Sequence, residues 1–262
     1  MSAKVFAEQY PRDETGIIVI PDDTQLRRDI YLHKVEHPSK NSLYLLDEIV
    51  KYCTEPGDLV LDCMAGAGSL MYTARLSRDI VLIELEPKFI ELLLENRKGF
   101  TGQISILPGD CRKLLPMPAV FDLIVFSPPY ANSIKANTGA AVYDPEKRGI
   151  ALGIVDFVSH PDNLSRLSEF MFNRAMKEVY SKCHQSLKPG GWMAIIIKDN
   201  IRNNTRVELS LQTVRICAEL GFSPTEWHKH KHIGKLWGNY NRNRGVMTVE
   251  DEDIILFRKP LL

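Results

Sequence analysis

No stretch of this sequence approaches the ~18 consecutive apolar residues that a membrane-spanning helix requires, and charged residues punctuate its first thirty positions. The expectation is therefore neither a transmembrane helix nor a secretory leader, but a cytoplasmic protein. An excess of charge of one sign is also missing, because 33 Lys and Arg offset 33 Asp and Glu. Any grip on a polyanion must then come from a local basic patch and not from an overall positive field. Cysteine is too sparse and too scattered for a disulfide frame or a zinc site. Cys53, Cys63, Cys111, Cys183 and Cys217 are five in number, and no two form a CxxC pair. They read as buried or free thiols in a reducing compartment, and no metal is expected.

What is present suits one globular unit. With 262 residues, 44% of them hydrophobic, the chain can bury a single substantial core. Residues 1–36 read as a lead-in segment whose apolar run, Ile17 to Ile20, stops at Pro21 and packs on the main domain. Residues 37–262 read as one domain with inserted loops at about 131–161 and 227–247. From Asn41 to Cys53, Leu43, Leu46, Ile49 and Val50 recur at three- and four-residue spacing, which predicts an amphipathic helix. Strands are expected at residues 59–61, 80–83, 104–107, 123–126, 193–197 and 253–257. Helices are expected from Ser69 to Ser77 and at residues 87–97, 163–187 and 207–220. Strands alternating with helices predict an α/β domain, with a mostly parallel sheet covered on both faces.

The first strand runs into Asp62-Cys63-Met64-Ala65-Gly66-Ala67-Gly68-Ser69 and then a helical stretch. Glycines in such a loop let backbone approach a ligand and aim free N–H groups at it. Glu84 ends the second strand twenty-two residues after Asp62, where a carboxylate can accept from ribose hydroxyls; Asp110, after the third strand, can accept from an adenine amine. Either acid alone reads as an ordinary solvated loop residue. Their joint placement at successive strand ends favours cofactor binding. The loop lacks the third glycine of GxGxxG, and no GKS or GKT follows, which argues against a nicotinamide cofactor and a phosphate loop.

The fourth strand leads into Ser127-Pro128-Pro129-Tyr130. This tetrapeptide resembles motif IV of the S-adenosylmethionine-dependent DNA amino-methyltransferases, which modify cytosine N4 or adenine N6. His37-Pro38-Ser39-Lys40 resembles the family's motif X, Asp62 to Ser69 motif I, Glu84 motif II and Asp110 motif III. The resemblance spans roughly residues 37 to 200, and its order, X then I then IV, is the arrangement called gamma. Enzymes with Ser-Pro-Pro-Tyr more often show other orders.

The resemblance implies a Rossmann-like class I methyltransferase fold with a seven-stranded, mostly parallel sheet. It implies S-adenosylmethionine as cofactor, held by His37, Lys40, Asp62, Met64, Ala65, Gly66, Gly68, Glu84, Asp110 and Ser127. Ser127, Pro128, Pro129 and Tyr130 become the catalytic group. The Ser127 hydroxyl and the Pro128 carbonyl can hold the two N–H groups of an exocyclic amine. Two prolines stiffen the turn, and Tyr130 can stack on a flipped base. Serine at the first position points to cytosine N4, with adenine N6 as the near alternative. The absence of a Pro-Cys dipeptide disfavours methylation at cytosine C5.

Residues 227–244 hold five Lys or Arg, three His and no acid, interleaved with aromatics and amides. Lys229, Lys231, Lys235, Trp237, Tyr240, Arg242 and Arg244 are the candidate nucleic-acid contacts, the alternative being a solvated basic hairpin. His228, His230 and His232 alternate as they would on the exposed face of a strand, without the partners a metal needs. Arg27, Arg28 and Lys34 read as a surface charge cluster. The expected substrate is double-stranded DNA, with a homodimer and a cognate restriction endonuclease, not in direct contact, both compatible. A tRNA guanine-N2 methyltransferase and a catalytically silent partner subunit are the competing readings.

Overall fold

The computed structural model describes residues 4–33, 40–130, 160–202, 205–232 and 249–261. Its core is an eight-stranded sheet. The strands are β1 (Ile18–Ile20), β2 (Leu59–Asp62), β3 (Asp79–Glu84), β4 (Ile104–Pro108), β5 (Phe121–Phe126), β6 (Leu187–Ile197), β9 (Ser223–His232) and β10 (Glu252–Arg258). They lie in the order β1-β9-β10-β6-β5-β2-β3-β4. Only β10 runs against its neighbours, pairing antiparallel with both β6 and β9. β7 (Asn200–Arg202) and β8 (Thr205–Val207) form a separate hairpin.

Side-chain alternation on the strands explains the two layers of helix. Val60, Leu82, Leu123, Val125, Ala194, Ile196, Ile254 and Leu256 face one way, against α2 (Leu43–Cys53), the 3₁₀ helix Ser69–Leu76 and α3 (Pro87–Arg97). Their neighbours Leu61, Ile83, Ile124, Phe126, Ile195, Ile255 and Phe257 face α5 (Glu169–Ser186) and α6 (Leu209–Glu219). Each fully buried Leu, Ile or Phe contributes roughly 1.5–3 kcal/mol, so two apolar faces require two covering layers. Two further short helices lie among the described residues, α1 (Thr24–Ile30) and α4 (Cys111–Leu114).

Several expectations change. The sheet has eight strands and not seven, because Ile18–Ile20 pairs parallel with β9 at the sheet edge. Within residues 1–36, Phe6, Ile18, Ile20 and Tyr31 are buried in the core. The helix after the glycine loop is 3₁₀ and stops at Leu76, with Ser77 in the left-handed region. The long helix expected from Asn163 is broken. A 3₁₀ turn at Leu164–Arg166 precedes α5, whose start is capped by the Ser168 hydroxyl accepting from the Met171 amide. The expected helix from Val207 begins two residues later, Val207 itself ending β8.

Of the loop expected at 227–247, residues 227–232 are strand, the end of Ser223–His232, and 233–247 lie outside the described residues. The three-His exposed face is not found either: His230 is fully buried and His228 stacks on Phe6 with ring centroids 4.7 Å apart. All five cysteines are buried and free. Among the described residues no helix is long and apolar enough to cross a membrane.

Candidate active site

Strands β2, β3, β4 and β5 are mutually parallel, so their carboxyl ends share one edge of the sheet. The chain builds outward from β2 through β3 to β4, then crosses back to lay β5 on the other side of β2. Such a reversal opens a crevice where neither connection covers the strand ends, the usual place for ligands in open α/β sheets. Asp62 ends β2, Glu84 ends β3, Asp110 follows β4 by two residues, and Ser127 directly follows β5. The fold thus collects, along one edge, four residues singled out by the sequence.

The glycine loop is held tightly. Gly66 and Gly68 both have positive φ, 49° and 75°, which non-glycine residues rarely adopt. At Gly68 a Cβ would also press on the side-chain ends of Leu93 and Met71, which would have to shift, so the positive φ is the stronger reason for glycine there. The Gly68 amide donates to the Ala65 carbonyl at 2.8 Å, and the Ala65 amide to Ile83 at 3.0 Å. Asp62 Oδ1 accepts the Met64 amide at 2.9 Å.

The acids differ in their surroundings. Glu84 is buried and accepts three backbone amides, Gly66 at 2.6 Å and Leu85 and Glu86 at 2.8 Å each. Burial nevertheless raises its carboxyl above the usual range, the three amides only partly opposing it. Burial pushes Asp62 up to about 7; the Met64 amide works against that shift and the nearby Glu84 charge adds to it. Asp110 caps α4 through the Arg112 amide at 2.8 Å and is clasped by the Arg112 guanidinium, with contacts of 2.6 and 3.0 Å. Both its oxygens are thus already engaged by a neighbour that the sequence reading did not pair with it.

After β5, Pro128 is buried and Ser127, Pro129 and Tyr130 are half-buried. The Tyr130 hydroxyl accepts the Lys198 amide at 3.1 Å, and burial raises that phenol well above its ordinary value. Pro128, Pro129 and Tyr130 line a narrow cleft together with Phe172, Asn200 and Gln212. Asn200 Oδ1, on that lining, is buried with no hydrogen-bond partner among the described residues.

Other expected residues fall elsewhere. His37, Lys235, Trp237, Tyr240, Arg242 and Arg244 lie outside the described residues, as does Lys34. Lys40 is exposed just ahead of α2. Lys229 and Lys231 are on β9 and not on a loop. Lys229 pairs with Asp251 and, at 2.9 Å, with the fully buried Asp253, and Lys231 pairs with Asp13 at 2.5 Å. Arg27, expected on the surface, is only 11% exposed in its side chain and reaches Ser69 Oγ at 3.0 Å. Glu86 also escaped the sequence reading. It is buried and accepts the Asn163 side-chain amide at 2.7 Å, tying the start of the α5 region to the end of β3.

Residues 12–95 match the DNA methylase family designated N6_N4_Mtase. The N6_N4_Mtase match covers about a third of the chain, from β1 through the glycine loop and Glu84 into α3, and ends before Asp110 and Ser127. A segment of 66 residues is 39% identical to the type II methyltransferase M.BglI of Bacillus subtilis; it covers 25% of this chain and only 19% of that protein. Among solved structures, a methyltransferase from Pyrococcus furiosus superposes with a TM-score of 0.54 at 15% identity, over 91% of this chain and 94% of the other. The precorrin 8W decarboxylase of Methanobacterium thermoautotrophicum gives 0.52 at 16% identity, over 91% and 98%. The fold is the class I methyltransferase Rossmann-like fold, with a mostly parallel mixed sheet. A decarboxylase among these neighbours shows that the fold alone does not fix the chemistry.

Proposed function

We propose that this chain transfers a methyl group from S-adenosylmethionine to the exocyclic amine of a base in DNA, with cytosine N4 as the target. The observation that carries the reading is the gathering of Asp62, Glu84 and Ser127 on one sheet edge beside the reversal between β2 and β5. The match of residues 12–95 to N6_N4_Mtase and the likeness to M.BglI, named as a type II methyltransferase, support it. They also suit a role as the modifying partner of a restriction endonuclease.

The residues present suit the cofactor. Asp62 is a desolvated carboxylate lifted to about 7. A cationic ligand beside it would restore its ionised form. Asp62, with Met64 and Ala65 of the loop, would hold the charged amino-acid end, Glu84 the ribose hydroxyls and Asp110 the adenine side. The bound cofactor supplies an electrophilic methyl group on a sulfonium.

The rest falls to the protein. An aromatic amine is a weak nucleophile because its lone pair is delocalised into the ring. The Ser127 hydroxyl and the Pro128 carbonyl accept its two N–H groups, which draws the nitrogen toward pyramidal geometry and frees the lone pair. Two prolines hold those acceptors rigid, so the gain is positional and electrostatic. Pro129 and Tyr130 offer flat apolar surface to a base turned out of the helix.

Adenine N6 is the second reading, favoured by a family designation that embraces both amines. The deciding experiment is single-base mapping of modified bases in DNA from a methylation-free host expressing the chain, with Ser127→Ala as control. N4-methylcytosine at one short motif, lost in the control, is the expected result. N6-methyladenine alone would overturn the choice of base, and unmodified DNA the choice of substrate.

A further inference from the structure

The lead-in helix α1 reaches into the glycine loop. Arg27, on its fourth position, spreads its guanidinium over three segments. Nε donates to Asp23 Oδ1 at 3.0 Å, Nη1 to Ser69 Oγ at 3.0 Å, and Nη2 to the Asn41 carbonyl. Asp23 is itself fixed, since its Oδ2 accepts the Leu43 amide at 2.8 Å at the start of α2. One helical turn further on, the buried Tyr31 hydroxyl donates to the Gly68 carbonyl at 3.0 Å.

We propose that Arg27 and Tyr31 are positioning residues for the cofactor, setting the direction of the Gly68–Ser69 peptide and its spacing from the Asn41 segment. The inference rests on reading residues 62–69 as the cofactor loop. A trans peptide points its N–H opposite to its C=O. Pinning the Gly68 carbonyl therefore aims the Ser69 N–H the other way. Ser69 opens the 3₁₀ helix, and the first N–H groups of a helix have no partner within it. The Gly68 carbonyl also accepts the Met71 amide at 3.0 Å, so the Tyr31 hydroxyl is a second donor that holds it from the lead-in, and Gly68, at φ 75°, has more freedom to turn once that second hold is lost.

Arg27 sets the second coordinate. A planar fork that bonds Asn41 and Ser69 together fixes the distance between two segments 28 residues apart, 41 to 69, in a way a lysine ammonium does not. Burial adds to the cost of misplacement, because a guanidinium 11% exposed that loses a partner keeps its desolvation penalty.

The test uses Arg27→Met, Arg27→Lys and Tyr31→Phe in the full chain, with S-adenosylhomocysteine as the titrated probe. The expected result is a dissociation constant raised about tenfold in Arg27→Met and several-fold in Tyr31→Phe, with Arg27→Lys restoring little. Turnover at saturating cofactor should stay within about twofold. Hydrogen exchange in the ligand-free chain should quicken at residues 64–71 in both the Met and Phe variants. Variants that melt lower yet keep wild-type affinity and loop protection would overturn the proposal. Should Arg27→Met fail to fold, Tyr31→Phe, which removes one oxygen, decides alone. A wild-type chain that binds no probe overturns the cofactor reading itself, and the ligand-free exchange then shows separately whether the clamp exists.

Discussion

The Glu84 carboxylate and the Gly66 amide meet at 2.6 Å, so the end of β3 holds the glycine loop from outside the loop. One oxygen takes Gly66 and the other takes Leu85 and Glu86, which leaves about one lone-pair site, on the Gly66-bound oxygen, for a ligand hydroxyl. Glu84→Ala should weaken cofactor binding about tenfold or more, the scale of one lost charged hydrogen bond, with a smaller effect on turnover at saturation. Titration with S-adenosylhomocysteine checks it, and an unchanged affinity would remove Glu84 from the site.

Ser127→Ala should behave oppositely. Loss of one acceptor for the reacting amine lowers turnover by about a hundredfold, while cofactor affinity changes by less than about threefold. Single-turnover kinetics with labelled cofactor separates the two quantities.

Asp62 predicts a pH dependence. Its folded-state carboxyl is raised from 3.8 to about 7 by burial, so between those values the folded chain holds a proton that the unfolded chain has released. Its contribution to stability is therefore greatest below about pH 4 and declines as pH rises toward about 7. A cationic cofactor favours the ionised form, so affinity should rise as pH increases through that range and level off above it. In Asp62→Asn both trends should flatten. Melting curves and probe titrations from pH 5 to pH 8.5 would show it, and a wild-type affinity independent of pH would contradict it.

Lys229 tests the difference between an interface and an ion pair. It sits on β9 against the buried Asp253, and Lys229→Ala removes the cation paired with that carboxylate, which keeps the Trp227 indole N–H at 2.7 Å. The expected cost is about 1–3 kcal/mol, below the range for fully buried pairs because the lysine is 37% exposed. Chemical denaturation measures this. The slope of DNA affinity against salt should not change, whereas loss of a phosphate contact would reduce it by roughly one.

The sequence alone determined what depends on neighbouring residues. Short apolar runs marked β2 through β6 and β10, three- and four-residue spacing marked α2, and α3 was expected over 87–97, where it is found. The order of Asp62, Gly66, Gly68, Glu84 and Ser127 relative to those strands was legible for the same reason. A residue that ends a parallel strand stands at the sheet's carboxyl edge whichever strands flank it.

Tertiary structure decided the pairings between distant segments. Ile18–Ile20 is three residues long and becomes a strand only because β9 offers it an edge. His-Lys alternation on β9 reads as a polar loop until β1 and β10 enclose it, which buries His230 and sets Lys229 against Asp253. Arg27 looks like surface charge in the sequence because Ser69, 42 residues later, is its partner. Strand and ion-pair partners are chosen by long-range contact and burial, which no local period records, so the lead-in's hold on the glycine loop belongs to the fold and not to the motif.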